Sequence, residues 1–271
     1  MSLNPSISVV TRTYNRSHLL RCISRHLKAQ TVQDFEWIII DDCSDFVVMD
    51  QDLIDFKPDF GVKILRNDEN IGLAKSAHKG ISEASGTYIL LHDDDDLLLP
   101  TALQSLRGAI TDNFIGSTGG VRRISQSGKK EAQYIPKRPP LISEIGYRNN
   151  MTTIATMFLK SAYLEAGGIN PDLTVLEDWD LWLKLLLVGD FATVPKVLGI
   201  QRVGAEDQTL NDTHLNQAII MRNNYLRNDI KSNALGLGYI TNISAPKMVD
   251  RADYLFRRLA RIKSIVSFKI R

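Results

Sequence analysis

Asp93, Asp94, Asp95 and Asp96 stand in a row between two apolar runs, Tyr88-Ile89-Leu90-Leu91 before and Leu97-Leu98-Leu99 after, and Pro100 closes the segment. Two carboxylates about 4 Å apart repel by roughly 4 kcal/mol at an effective dielectric near 20. A divalent cation turns that repulsion into coordination, because hard ions such as Mg2+ and Mn2+ take oxygen ligands. For one or two aspartates a solvated turn is the plainer explanation. Four at the mouth of a buried strand point to a metal or phosphate site. A second acidic group, Glu177-Asp178-Trp179-Asp180, follows the turn-forming Gly167-Gly168 pair and opens a helical run through Leu185. Carboxylates there either complement a helix N-terminus or do acid–base work, with like charges nearby raising a pKa toward neutrality.

Groups this far apart in the chain must be carried to one place, and the hydrophobic pattern says how. Ile7 to Val10, Trp37 to Ile40, Val62 to Leu65 and Tyr88 to Leu91 read as strands. Between them lie helices from about Ser17 to Gln30, with Leu19, Leu20, Ile23 and Leu27 on one face, and from Leu73 to Ala84. Strands alternating with helices imply parallel βαβ units and an α/β fold. Right-handed crossovers put the carboxyl ends of the strands along one edge, where open α/β sheets bind ligands. Three polar clusters fall there, each directly behind a strand: Thr11 to Arg16, Asp41 to Ser44, and Asp93 to Asp96.

After Pro100 the pattern changes. A helix is expected from Thr101 to Asp112, then extended segments at Gly119 to Ser125, Glu131 to Ile135 and Thr153 to Leu159. Pro136 to Pro140 reads as an extended loop. A short helix stops at Gly167-Gly168. Beyond about Asp207 helices dominate. Tyr254 to Val266 sets Leu255, Leu259, Ile262 and Val266 at helical spacing and adds Arg257, Arg258, Arg261 and Lys263.

Composition bounds the function. With 271 residues, 44% hydrophobic and 24% charged, the chain has the profile of a soluble globular protein. A formal net charge of +2 argues against wholesale nucleic-acid binding. Cys22 and Cys43 form neither a disulfide framework nor a zinc spacing, so reduced thiols and a cytoplasmic location are expected. No apolar run approaches the roughly 18 residues of a membrane span, and Met1 to Pro5 lack a signal-peptide pattern.

Five motifs in order resemble the inverting family-2 glycosyltransferases over roughly Ser6 to Arg202. They are Ser8 to Arg16, Ile40-Asp41-Asp42-Cys43-Ser44, Asn70 to Lys75, His92 to Asp96 with Pro100, and Gly167-Gly168-Ile169-Asn170 followed by Glu177-Asp178. The resemblance implies the GT-A fold, a Rossmann-like, mostly parallel central sheet flanked by helices. Residues 1–206 would form that domain, with a nucleotide-binding half to about residue 100 and an acceptor-binding half at 101–206. Residues 207–271 would be a helical C-terminal extension. The implied reaction moves a sugar from a nucleoside-diphosphate sugar, a UDP-sugar foremost, to a hydroxyl of a glycan or lipid-linked acceptor. Surface polysaccharide, lipopolysaccharide or other glycoconjugate synthesis is the implied setting, and Mn2+ or Mg2+ the implied metal.

Residue by residue, Asp95 matches the metal ligand, although the quartet admits a register one residue away. Asp93 and Asp94 would orient the donor sugar or ribose. Asp42 would accept from the nucleobase while Tyr14 packs on it, and Thr11, Thr13, Arg16, Asn70, Gly72 and Lys75 would complete the nucleotide pocket, Lys75 being equally a plain surface lysine. Asp178 matches the general base, and Gly168, Glu177 and Trp179 lie on the acceptor side. Of Trp179 and Trp182, the second reads as core. The chain departs from the family in Arg12, where many members have proline, and Cys43, where many have glycine. It also lacks a histidine just after Arg202, a contact His214 would have to supply, and His92 reads as packing. The basic C-terminal stretch fits either a core-covering helix or peripheral contact with the inner face of a membrane. A nucleotidyltransferase is the alternative enzyme, but Thr11 to Arg16 has no glycine for its phosphate loop. A non-catalytic nucleotide-sugar-binding domain is the alternative without chemistry.

Overall fold

The computed structural model describes residues 5–49, 53, 60–125, 130–146 and 149–203. Its first half is built from β1 (Ile7–Thr13), α1 (Ser17–Lys28), β2 (Phe35–Asp41), β3 (Gly61–Arg66), α2 (Leu73–Ser82) and β4 (Tyr88–Asp93). Every residue of β1 is buried, and Trp37, Ile38, Ile39 and Ile40 of β2 are wholly inaccessible. Strands this apolar on both faces need cover on both, which a parallel sheet flanked by helices provides. α1 supplies Leu20, Ile23 and Leu27 to that cover, and α2 supplies Ala74, Ala77 and Ile81.

The second half comprises β5 (Leu97–Leu98), α3 (Ala102–Ala109), β6 (Gly116–Ser125), β7 (Lys130–Tyr134), α4 (Ile142–Ile145), a 3-10 turn (Thr153–Ala155), β8 (Thr156–Leu159), α5 (Lys160–Glu165), α6 (Glu177–Val188) and β9 (Phe191–Val203). All strands join one sheet in the order β3-β2-β1-β4-β8-β6-β9-β5, with β7 added beside β6. The run β3-β2-β1-β4 is parallel throughout. β8 runs antiparallel between β4 and β6, while β6 and β9 are parallel.

This order places the site. From β1 the chain builds outward through β2 to β3, then returns to add β4 on the other side of β1. The two directions diverge between β1 and β4, and a crevice opens at their carboxyl ends, where doubly wound sheets bind ligands.

Several sequence-based boundaries need correction. The strand expected from Gly119 begins at Gly116, because Gly116-Ser117-Thr118 pair with β8 without an apolar signature. Of the strand expected from Thr153, the first three residues form the 3-10 turn. β5 is two residues long and β9 carries Pro195, so neither was expected as a strand. Pro195 is accommodated where the β6–β9 register slips, Gly119 facing Val194 and Gly120 facing Val197. A residue without an N–H is tolerated at such a bulge. The expected C-terminal extension, with its basic helix and His214, lies outside the described residues. Among the described residues no helix is long and apolar enough to cross a membrane.

Candidate active-site cleft

A cleft of about 930 Å³ opens at the carboxyl ends of β1 and β4, against the N-terminus of α6. Where β1 and β2 end, their loops are stitched together. Asn15 has φ 56°, a region asparagine tolerates better than most residues. Its N–H donates to Ser44 Oγ at 2.9 Å and its side-chain oxygen accepts the Asp45 N–H at 2.8 Å. Tyr14 beside it is 46% exposed and leaves its ring open to the cleft.

Asp42, one residue past β2, is buried yet reaches the same cleft. Its Oδ1 accepts Asn67 Nδ2 at 2.7 Å and the Ile71 N–H at 2.9 Å, and its Oδ2 accepts the Gly72 N–H at 2.9 Å. Those bonds hold the loop before α2, where Gly72 sits at φ 84°, a conformation glycine takes without penalty. Asp42 therefore shapes the rim of the cleft, and Oδ2 keeps a further lone pair for a ligand.

The tip of β4 divides its four carboxylates by environment. Burial works to raise the Asp93 pKa, but the charge and hydrogen bond of Arg12, with the Thr153 hydroxyl at 2.8 Å, outweigh it and hold it below the usual range. Asp94 is pushed up to about 6, burial prevailing over the Thr13 hydroxyl at 2.9 Å and Arg16. Asp96, buried and accepting the Arg202 N–H at 3.1 Å, lies well above the carboxylate range through burial and the charges of Asp93 and Asp95. His92 behind them packs, as expected, and burial brings its pKa down to about 4, so the ring is neutral.

Arg12 joins this tip to the start of α6. Its guanidinium, nearly inaccessible, pairs with Asp93 through one terminal nitrogen and with Glu177 Oε1 through the other, at 2.7 Å. Burial opposes its charge, and the two carboxylates overcome that and raise its pKa above the ordinary value. Next to Glu177, the half-buried Asp178 carboxyl accepts the Trp179 N–H on Oδ1 at 2.7 Å and Asn149 Nδ2 on Oδ2 at 3.1 Å. Desolvation first, and the Glu177 charge second, push its pKa up to about 7. Asp178 thus lines the same cleft as Asp94 and Asp95.

Not every expected site residue reaches that cleft. Thr13, Tyr14, Arg16, Asp42, Asp93, Asp94, Asp95, Glu177 and Asp178 line it. Thr11 does not: it is fully buried inside the sheet, its hydroxyl accepting Trp37 Nε1–H at 2.9 Å. Asn70 and Lys75 are exposed and lie outside the lining. Gly72 acts through the backbone held by Asp42. Gly168, at φ 69°, offers its carbonyl to Lys184 Nζ at 3.0 Å and so ties the turn to α6. Trp179 donates Nε1–H to the Ile145 carbonyl at 2.7 Å, and Trp182 is core, packed edge-on to Phe158. Residues not singled out from sequence also line the cleft, among them Ser76, Arg123, Thr153 and Gln201. The signal for Arg12 was its place in a buried strand, where a guanidinium requires carboxylate partners.

The acidic donors fit a divalent cation shared with a substrate. Among the described residues no three His, Cys, Asp or Glu side chains converge into a closed cage. Arg16 NH1, however, bridges Asp94 Oδ1 at 3.2 Å and Asp95 Oδ2 at 3.3 Å, so positive charge already has a place between these two oxygens. Mg2+ is commonly held by one or two carboxylates plus substrate phosphates and water.

Comparison with known proteins gives the family and the fold. Residues 8–164 match the family model described as Glycosyl transferase family 2. An uncharacterized glycosyltransferase of Haemophilus influenzae is 30% identical over 186 residues, covering 66% of this chain, and the chain spans 62% of that relative's length. A Bacillus subtilis protein, TuaG, provisionally named as a teichuronic acid biosynthesis glycosyltransferase, is 25% identical over 187 residues, 68% of this chain and 73% of its own. Among solved structures, S. aureus TarS in complex with UDP superposes with a TM-score of 0.60 at 17% identity, over 81% of this chain and 65% of that one. The Pyrobaculum calidifontis mannosyltransferase PcManGT, in complex with GDP-Man and Mn2+, does so with a TM-score of 0.54 at 15% identity, over 93% and 70%. At such identities the structural likeness is one of fold.

Proposed function

The chain belongs to glycosyl transferase family 2 and has the GT-A fold, and from that premise we propose that its cleft moves a sugar from a nucleoside-diphosphate sugar to an acceptor hydroxyl, with inversion at the anomeric carbon. The observation that carries the reading is Asp178, a carboxyl with its pKa pushed up to about 7, lining the same cleft as the acidic tip of β4. A base works best when its pKa lies near the working pH. Asp178 removes the proton of the acceptor hydroxyl as that oxygen forms its bond to the anomeric carbon. The bond from that carbon to the diphosphate breaks on the opposite face, so one displacement inverts the centre.

The remaining residues bind and orient. Tyr14 offers a ring face to the nucleobase, and the spare Oδ2 lone pair of Asp42 accepts from it. Thr13 holds Asp94 in place, and Asp93, fixed as a carboxylate by Arg12, faces the sugar. Asp95 and Asp94 would hold Mn2+ or Mg2+, which when bound supplies a Lewis acid for the leaving diphosphate. Arg16 then turns from those carboxylates to the phosphate oxygens, for which a guanidinium is well shaped. UDP is the nucleotide we favour, and surface polysaccharide the product class, in keeping with the ligand in TarS and the name of TuaG. Cytoplasmic placement agrees with the free thiols of Cys22 and Cys43.

A melting-temperature screen of UDP-, GDP- and dTDP-sugars with and without Mn2+, followed by donor hydrolysis, tests this. One nucleotide class, expected to be UDP, stabilises the protein when Mn2+ is present, by an increment that grows with ligand over Kd. No stabilisation by any donor in either condition overturns the proposal.

A further inference from the structure

Arginines in this cleft differ in what holds them. Arg12 is saturated by Asp93 and Glu177, and Arg16 bridges Asp94 and Asp95. Arg123, on β6, lines the same cleft, yet its one side-chain hydrogen bond among the described residues goes from Nε to the neutral Gln201 Oε1, at 3.0 Å. Seven carboxylate side chains line that cleft: Asp42, Asp93 to Asp96, Glu177 and Asp178. Pinned by an amide, Arg123 pairs with none of them. Arginine has five N–H donors, and with Nε–H engaged the two terminal nitrogens are left as a fork. A fork in fixed orientation matches two oxygens of a carboxylate or phosphate.

The sheet explains why the fork points into the cleft. Arg123 pairs with Ala132 of β7 on one side and with Gln201 of β9 on the other, and all three residues line the cavity. They form a cross-strand row in which the small Ala132 leaves room and Gln201 sets the orientation. The row lies on the β6–β9 wall, away from Tyr14 and Asp42, where the nucleotide is placed. The next residues of β7, Gln133 and Tyr134, line a second cavity of about 660 Å³, and with them stands Lys137, which has no acidic partner among the described residues.

We infer that Arg123, oriented by Gln201, recognises an acidic group, a carboxylate or a phosphate, on the acceptor. The inference rests on the glycosyl-transfer reading above, with the acceptor as the second substrate of that cleft. Its test is calorimetric titration of the full chain, saturated with UDP in the presence of Mn2+, with methyl glucuronide, glucose 6-phosphate and the neutral methyl glucoside. At least one acid should bind about tenfold or more tightly than the neutral sugar, as expected for a charge-assisted bidentate contact, and the preferred acid tells carboxylate from phosphate. Arg123→Gln should reduce that preference to within about threefold, while Gln201→Leu, which frees the fork, should weaken it by a smaller factor. A wild-type chain that does not prefer either acid, or a preference surviving in Arg123→Gln, overturns the inference. So does loss of UDP affinity in Arg123→Gln, which would make Arg123 a diphosphate ligand. Failure of UDP to bind the wild type sinks the donor reading instead, and the same acid preference is then read on the nucleotide-free chain.

Discussion

The tip of β4 and the first turn of α6 each carry adjacent carboxylates, and each gives one of them to Arg12. Asp93 and Glu177 are the tied members; Asp94 and Asp178 are the ones left to the cleft, pushed up to about 6 and about 7. Their surroundings then separate them. Asp94 is surrounded by Thr13, Arg16 and the neighbouring Asp95, a setting in which positive charge is shared between oxygens. Asp178 accepts only from neutral amides, Asn149 and the backbone of Trp179, a setting that suits a proton acceptor on the proposed function. On the proposed function, identical side chains would become a cation site in one place and a base in the other through their neighbours, since burial raises both above the carboxylate range.

Removing the base breaks the comparison most severely. Asp178→Asn keeps the shape and one of the two amide contacts but cannot take a proton, and sugar transfer should fall by about 10²–10⁴-fold. Mn2+-dependent stabilisation by the donor should persist, because the β4 tip is untouched. Kinetics and melting curves on the same preparation check both halves, and undiminished transfer would place the base elsewhere.

Removing the shared cation comes next. Arg12→Met leaves Glu177 buried without its partner and Asp93 without its strongest one. Breaking a buried ion pair costs about 3–5 kcal/mol, and the lower end applies because Asp93 keeps partial solvent access. A urea midpoint that corresponds to a loss below about 1 kcal/mol would show that Arg12 does not hold the two tips together.

Protonation sharpens the comparison from the other side. Asp178 must be ionised to act, so kcat/KM should rise with pH and reach half its plateau near pH 7. Stability should move the opposite way over part of the range. The folded Asp178 keeps its proton from the ordinary carboxylate range up to about 7 while the unfolded chain has released it, so stability falls as pH rises through that window. Asp93 has the reverse sign: its contribution is present above the ordinary carboxylate range and is lost as pH falls through its lowered folded value. Urea midpoints at pH 5 and pH 8, in Asp178→Asn and wild type, read the Asp178 part, and midpoints below the ordinary carboxylate range read the Asp93 part.

How far the chain could be read in advance follows the same division. In the first half, Thr13, Asp41 and Asp93 are the final residues of β1, β2 and β4, and each belongs to one of the three polar clusters. Continuous apolar runs and parallel pairing made that edge legible, and with it Asp94, Asp95 and Asp42. In the second half the strands carry no such signature. Gly116 to Thr118 are small and polar, and β9 spans Pro195 through a bulge that only its partner strand defines. Arg123 was therefore invisible as a site residue, because its role depends on which strands flank it. Thr11, Asn70 and Lys75 were assigned by motif, but which way a side chain points at a strand end or a helix start depends on packing that spacing does not encode. Arg12, set aside as a departure from the family, proved to be the link between the two acidic tips.

The smallest effect isolates the environment of the base without touching it. Asn149 donates Nδ2–H to Asp178 Oδ2 at 3.1 Å, a bond that favours the charged carboxylate, and it also accepts the Met151 N–H at 3.2 Å. Asn149→Ala removes the donor, so the Asp178 pKa should rise, though water in the open cleft replaces part of the bond and limits the change to about half a unit. The acid limb of the pH profile should shift upward by that amount while the plateau at high pH holds, because the ionised base is unchanged once formed. A lowered plateau with an unmoved limb would mean that Asn149 positions the acceptor or the loop before Met151. The charge balance at the start of α6 would then rest on Glu177 and Arg12 alone.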